Sequence, residues 1–191
     1  MPAGADPRDL ELLDRLAHAL GQLGGALGVG PGKHHRELER SRRFETPLGL
    51  VMVDIDDFKQ VNDSYGHQQG DEVLAQVAGV LRDLSRDLDA PARYGGEELA
   101  VVLPQTDADG AALLAERMRE AVDALQIPRV RGRGTLSVTA SFGVASVPDA
   151  AADSGGLIAA ADAALYEAKR AGKNRVQRAS VVAAEPSSRP R

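Results

Sequence analysis

The chain has 191 residues, 43% hydrophobic and 27% charged, which fits one soluble globular domain with extensions. Its formal net charge of −5 weighs against a nucleic-acid partner, whose binders carry a basic face, but leaves room for a local basic site on a small phosphate ligand. The absence of cysteine excludes disulfide frameworks and thiolate metal sites and makes the cytoplasm the expected compartment; there is no signal-peptide pattern in residues 1–8 and no apolar run near the roughly 20 residues of a membrane segment.

Residues 9–27 read as an amphipathic helix, with Leu13, Leu16, Leu20, Leu23 and Leu27 at spacings of three and four. Three Gly and one Pro in 28–32 break it, and the charged stretch 34–43 suggests a second short helix. Residues 48–53 are a compact apolar run with β-branched members, expected as a buried strand that ends before Asp54. The polar stretch 56–71 predicts a short helix and a turn, and 72–88 a longer helix striped by Val73, Leu74, Val77, Val80, Leu81 and Leu84. Residues 92–94 and 98–103 flank Gly95-Gly96-Glu97, a hairpin signature in which Gly is expected to supply positive φ. A helix over 107–125, a strand over 135–147, a helix over 157–171 and a short strand over 175–180 follow. With only 3% aromatic residues, the core must come from Leu, Val, Ile and Ala. The tail 183–191, rich in Pro and Ser, is expected to be disordered. This order suits an α/β (α+β) domain whose central sheet is mostly antiparallel and flanked by helices.

Two acidic clusters stand out. Asp54 and Asp56 follow the first strand, and Glu97 and Glu98 lie at the hairpin tip. Taken singly, each has an ordinary reading: Asp caps helices and turns, and a hairpin tip is solvated. Together they suggest hard-oxygen ligands on separate elements converging on a divalent ion, as phosphoryl and nucleotidyl transfer require.

The run VDIDDFKQVNDSYGHQQGD (53–71) strongly resembles the first signature of the GGDEF family of diguanylate cyclases. RYGGEEL (93–99) resembles the signature that names the family, in its GGEEF form, and ASFGVA (140–145) and ADAALYEAKRAGKN (161–174) resemble its two C-terminal signatures. The blocks stand in family order over 48–176. The resemblance implies a palm-like fold, as in class III nucleotidyl cyclases, and condensation of two GTP into cyclic di-GMP at a homodimer interface. It implies a cofactor, Mg²⁺ or Mn²⁺, held by Asp54, the Ile55 carbonyl, Glu97 and Glu98. Asp54, Glu97 and Glu98 would be catalytic, with Glu98 completing the acidic site. Asn62 and Asp71 would recognise guanine: a carboxylate accepts from N1–H and N2–H₂ together, a donor pair adenine lacks. Taken alone, either residue reads more readily as a turn or N-cap residue, and it is the family context that favours guanine. Lys59, Lys169 and Lys173 would meet the triphosphate, main-chain N–H groups near Asp57 and Phe58 would cradle phosphate, and Gly96 would let the nucleotide approach the backbone. Arg86-Asp87-Leu88-Asp89 matches the family's RxxD product-inhibition motif, with Arg86 and Asp89 as its contacts and Arg117 as a further one.

The resemblance implies three segments: an N-terminal helical segment over 1–45, the catalytic domain over 46–180 and a tail over 181–191. Two departures stand out. Leu99 replaces the signature's Phe, a packing change between apolar residues. The family's opening motif, DxLTGLxNRR, survives only as Asp14 and Leu16, so coupling to an upstream sensor is in doubt, and residues 13–27 could equally pair with a second copy or pack on their own domain. Two other functions compete with an active cyclase: a catalytically silent GGDEF domain that receives cyclic di-GMP through Arg86 and Asp89, and a nucleotidyl cyclase of other base preference. Silent members lose the hairpin acids, which this chain keeps, and Asn62 and Asp71 favour GTP.

Overall fold

The computed structural model describes residues 47–151 and 154–180. The expected helices over 9–27 and 34–43, Asp14, Leu16 and the tail lie outside the described residues. In chain order the elements are β1 (Leu48–Ile55), α1 (Phe58–Tyr65), α2 (His67–Leu84), β2 (Ala90–Arg93), β3 (Glu98–Pro104), α3 (Ala108–Asp123), β4 (Ile127–Pro128), β5 (Thr135–Leu136), β6 (Ala140–Val147), α4 (Ser154–Arg170) and β7 (Val176–Arg178).

Strands β2-β3-β1-β6-β7 form one sheet in that order. Only the β6–β7 pair is parallel; the other three neighbours run antiparallel. Strand β1 is central and buried along its whole length, which is why it reads as a continuous apolar run. Its side chains alternate faces. Val51, Val53 and Ile55 join α2 and α3 through Val73, Val77, Leu81, Ala115 and Met118. Leu48, Leu50 and Met52 join α4 through Leu157, Ile158, Ala161 and Leu165 on the opposite face. The expected palm-like layering, a mostly antiparallel sheet between helices, is what the chain adopts.

Several expected boundaries are corrected. Strand β1 continues to Ile55, because Asp54 pairs with Glu98 on one side and Ser141 on the other. The turn after α1 is a single residue, Gly66 at φ 84°, so α2 starts at His67 and Asp71 lies inside the helix, not at its cap. Helix α2 stops at Leu84, where the extended Ser85 ends it and donates its hydroxyl to the Leu81 carbonyl at 2.7 Å. The strand expected over 135–147 is two: β5 pairs with β4 in a separate ribbon, and β6 enters the main sheet. Strand β4, two residues long and ending in Pro128, carries no strand pattern of its own. Finally, neither Gly95 nor Gly96 has positive φ. The loop closes instead by Tyr94 and Gly95 N–H groups both donating to the Glu98 carbonyl, at 2.8 and 3.1 Å.

Candidate active site

The sheet register brings the two acidic clusters to one corner. Asp54 at the end of β1 and Glu98 at the start of β3 are direct cross-strand partners. At the neighbouring Gly95 a Cβ would stand 2.8 Å from Glu98 Oε2, so a larger residue there would make the end of that side chain shift. Arg93 holds the hairpin tip, donating to the carbonyls of Gly95 (3.2 Å) and Gly96 (2.6 Å). At Gly96 itself a Cβ would meet nothing within 4 Å, so the tip presents open backbone.

Burial pushes the Asp54 carboxyl up from its ordinary range, and the charges of Glu97 and Asp56 add to that. Lys169, whose Nζ lies 2.6 Å from Asp54 Oδ2, acts the other way. Glu98 is likewise raised, first by burial and then by Asp54, with Asp162 and Glu97 contributing and Lys169 opposing. The corner thus carries more carboxylate charge than one lysine neutralises. Its donors are all hard oxygens, which suits Mg²⁺ or Mn²⁺. Among the described residues no three His, Asp or Glu side chains close into a complete metal cage.

Asp56, the other half of the first acidic pair, is separated from this function. It is buried and accepts from Thr139 Oγ1 (2.7 Å), Ser141 Oγ (2.7 Å) and the Asn174 N–H (3.0 Å). Three donors satisfy it, so it ties the end of β1 to β6 and to the loop after α4.

Beyond Asp56 the chain turns sharply. Asp57 sits at φ 54°, in the left-handed region, and no side chain caps α1. Lys173 Nζ lies 2.6 Å from Asp57 Oδ1. Lys169 and Lys173 therefore both reach acids at the β1–α1 junction. Lys59 does not: it is exposed and pairs with Asp63 at 3.0 Å. The Phe58 side chain is buried in the core, so what it can offer a ligand is main chain.

Asn62 and Asp71 lie on the helices α1 and α2. Gly70 brings these helices together: a Cβ there would collide with the Asn62 amide and sit 3.1 Å from Phe58 Cζ. Asp71 is exposed and lines a groove of about 350 Å³ with Leu74, Ala78, Arg93 and Leu99, running from α2 to the hairpin strands. A purine could lie in it with one polar edge at Asp71.

The Arg86–Asp89 segment is a turn. The Asp89 N–H donates to the Arg86 carbonyl (2.9 Å), and Asp89 Oδ2 accepts from the Arg86 N–H (2.8 Å). That leaves the Arg86 side chain exposed; Arg117 is exposed on α3. The residues that sequence patterns did not single out are Arg93, Asp162 and Gln69. All three lie within quoted motifs but act through contacts and fields that a linear pattern does not show.

The model of the "Diguanylate cyclase, GGDEF domain" family matches residues 33–175. Diguanylate cyclase A of Treponema denticola is 40% identical over 144 residues, 75% of this chain and 38% of that protein. Response regulator PleD of Caulobacter vibrioides is 40% identical over 130 residues, covering 68% and 29%. The chain thus spans about a third of the length of the curated relatives it matches. Among solved structures, the coiled coil and GGDEF domain of DgcB from Caulobacter crescentus, in complex with c-di-GMP, superposes with a TM-score of 0.71 at 35% identity, covering 75% of each chain. The active GGEEF domain of a diguanylate cyclase from Vibrio cholerae does so with a TM-score of 0.71 at 32% identity, covering 77% of this chain and 92% of that one. Signature, fold and relatives agree, and the chain belongs to the GGDEF family of diguanylate cyclase domains.

Proposed function

We propose that residues 46–180 form a cytoplasmic diguanylate cyclase domain that condenses two GTP into cyclic di-GMP and two pyrophosphates. The observation that carries this reading is the cross-strand pair of buried Asp54 and half-buried Glu98, both held above the ordinary carboxylate range beside Glu97 and Lys169. A corner so rich in unneutralised oxygen donors gains from a divalent cation. Magnesium is usually held by one or two carboxylates together with substrate phosphates, so an incomplete protein cage is what a nucleotide-metal site needs. The ligands would be Asp54, the Ile55 carbonyl, Glu97 and Glu98. When bound, such an ion neutralises phosphate oxygens and lowers the pKa of the attacking hydroxyl.

The chain's own residues bind and orient. Asn62 and Asp71 take the guanine edge. Lys169, Lys173 and the uncapped start of α1 meet the triphosphate, and Gly96 lets the nucleotide approach the backbone. Lys59, exposed on α1 and paired with Asp63, would reach the triphosphate by leaving that pair. Each domain holds one GTP. Two domains face each other across a two-fold axis, so that each 3′-hydroxyl attacks the α-phosphorus of the opposite nucleotide and displaces pyrophosphate. Arg86 and Asp89, with Arg117, would bind the product and restrain the enzyme.

The test is chromatography of products after incubating pure protein with GTP and Mg²⁺, beside Asp54→Ala and Glu97→Ala. Cyclic di-GMP from the native protein alone is the expected outcome. No product, together with binding of cyclic di-GMP that Arg86→Ala abolishes, would make the domain a receptor instead.

A further inference from the structure

Gln69 is the most deeply buried polar side chain on α2, 1% exposed, and both ends of its amide are used. Nε2 donates to the Pro128 carbonyl at 3.1 Å, and Oε1 accepts from the Val130 N–H at 2.8 Å. Both partners belong to the β4–β5 ribbon, which lies outside the main sheet. Neighbouring contacts strengthen this anchor. Gln68 Oε1 accepts from Arg131 at 3.2 Å, and the Arg129 guanidinium lies 5.2 Å from the ring centroid of Tyr65. The ribbon therefore rests on the turn between α1 and α2.

The two helices that flank this turn carry the residues proposed to read guanine, Asn62 on α1 and Asp71 on α2. Along 68–71, Gln68 and Gln69 hold the ribbon, Gly70 lies against the Asn62 amide, and Asp71 lines the groove. A displacement of the ribbon is thus transmitted over one or two residues to both base contacts. A buried amide with donor and acceptor both satisfied has one orientation only, which makes it a rigid link. We propose that Gln69 is a positioning residue for guanine recognition, and that the β4–β5 ribbon it grips sets the spacing of Asn62 and Asp71. The proposal rests on the cyclase reading of those two residues. It also makes the ribbon a handle on nucleotide affinity: its tip exposes Arg129, Arg131 and Arg133 with no acid among 124–148, so an acidic ligand bound there would act on the guanine pocket.

Two variants break the link from opposite sides. Gln69→Leu keeps the volume and removes both hydrogen bonds. Val130→Pro deletes the ribbon N–H without touching α2. The probes are 3′-deoxyguanosine triphosphate, which lacks the attacking hydroxyl, and its hypoxanthine counterpart, which lacks the exocyclic amino group. Calorimetric titration with Mg²⁺ should show both variants weakening the guanine probe by about five- to tenfold, with guanine-over-hypoxanthine discrimination falling alongside. The kcat at saturating GTP should stay within about twofold of the native value, so that the loss lies in KM. Unchanged affinity and discrimination in both variants, with only a lower melting temperature, would overturn the proposal and leave Gln69 a packing residue. Failure of the native protein to bind the guanine probe at all would instead remove the cyclase reading beneath it.

Discussion

Asp54 and Glu98, the proposed metal ligands, sit where burial opposes their charge. Both carboxyls titrate above their ordinary range, with burial as the leading cause. A raised folded-state pKa means that the folded protein holds its proton to higher pH than the unfolded chain does. Stability attached to that group is complete below the unfolded-state pKa and is lost as pH rises through the folded one. At neutral pH the ionised Glu98 therefore costs stability. Glu98→Gln removes the charge at nearly constant shape, and calorimetry at pH 7.5 should show the melting temperature rising by about 1–3 °C, a small effect because Glu98 is only half-buried. The gain should fade as pH falls and the native carboxyl takes up its proton; a lower melting temperature at pH 7.5 would contradict the sign. Asp56 is the opposite case, since three donors to its carboxylate make it part of the fold.

At the scale of elements, the placement of Lys169 depends on how closely α4 lies on β6. Gly143 in β6 has no room for a side chain: a Cβ would collide with the Ala161 carbonyl and the Leu165 N–H and sit 2.7 Å from Leu165 Cβ. Two of these three are helix backbone, which cannot yield as a flexible side chain would. Gly143→Ala should cost about 3 kcal/mol in urea denaturation, at the upper end for overpacking. A loss under about 0.5 kcal/mol, the size of a neutral surface change, would show that the helix can lift freely. Helix α4 carries Lys169 one turn beyond Leu165, so a lifted helix would also draw that ammonium away from Asp54. Helix-to-sheet packing and site electrostatics are here one variable.

For the whole molecule, the proposed chemistry needs two nucleotides, and the proposed site in one domain, the groove at Asp71 beside the Asp54–Glu98 corner, would hold one of them. Turnover should then depend on encounter between copies. Specific activity should rise with protein concentration at the dilute end and level off once dimers dominate, as mass action requires. A specific activity that is constant on dilution would mean a preformed dimer or a complete site in one chain, which analytical ultracentrifugation would distinguish. Among the described residues no helix is long and apolar enough to cross a membrane.

By itself the sequence determined the order of the main-sheet strands and their helices, the buried central strand and the family, because those rest on local periodicity and on motifs contiguous in the chain; it missed the β4–β5 ribbon. It also named Asp54, Glu97, Glu98, Asn62, Asp71, Lys169 and Lys173 through their signatures. The tertiary structure decided what depends on register and on contacts across long stretches of chain. Only pairing of β1 with β3 sets Asp54 opposite Glu98, and only the meeting of 56 with 139, 141 and 174 separates Asp56 from it. The glycines of the hairpin read as turn formers of positive φ, yet neither adopts it, and the loop closes by N–H groups of 94 and 95 on the Glu98 carbonyl. Gln69 had no local signal, since a buried glutamine is recognised by partners 59 and 61 residues away. Periodicity reports which face of an element is apolar; which polar groups then meet is settled by packing, where each buried donor and acceptor must find a partner.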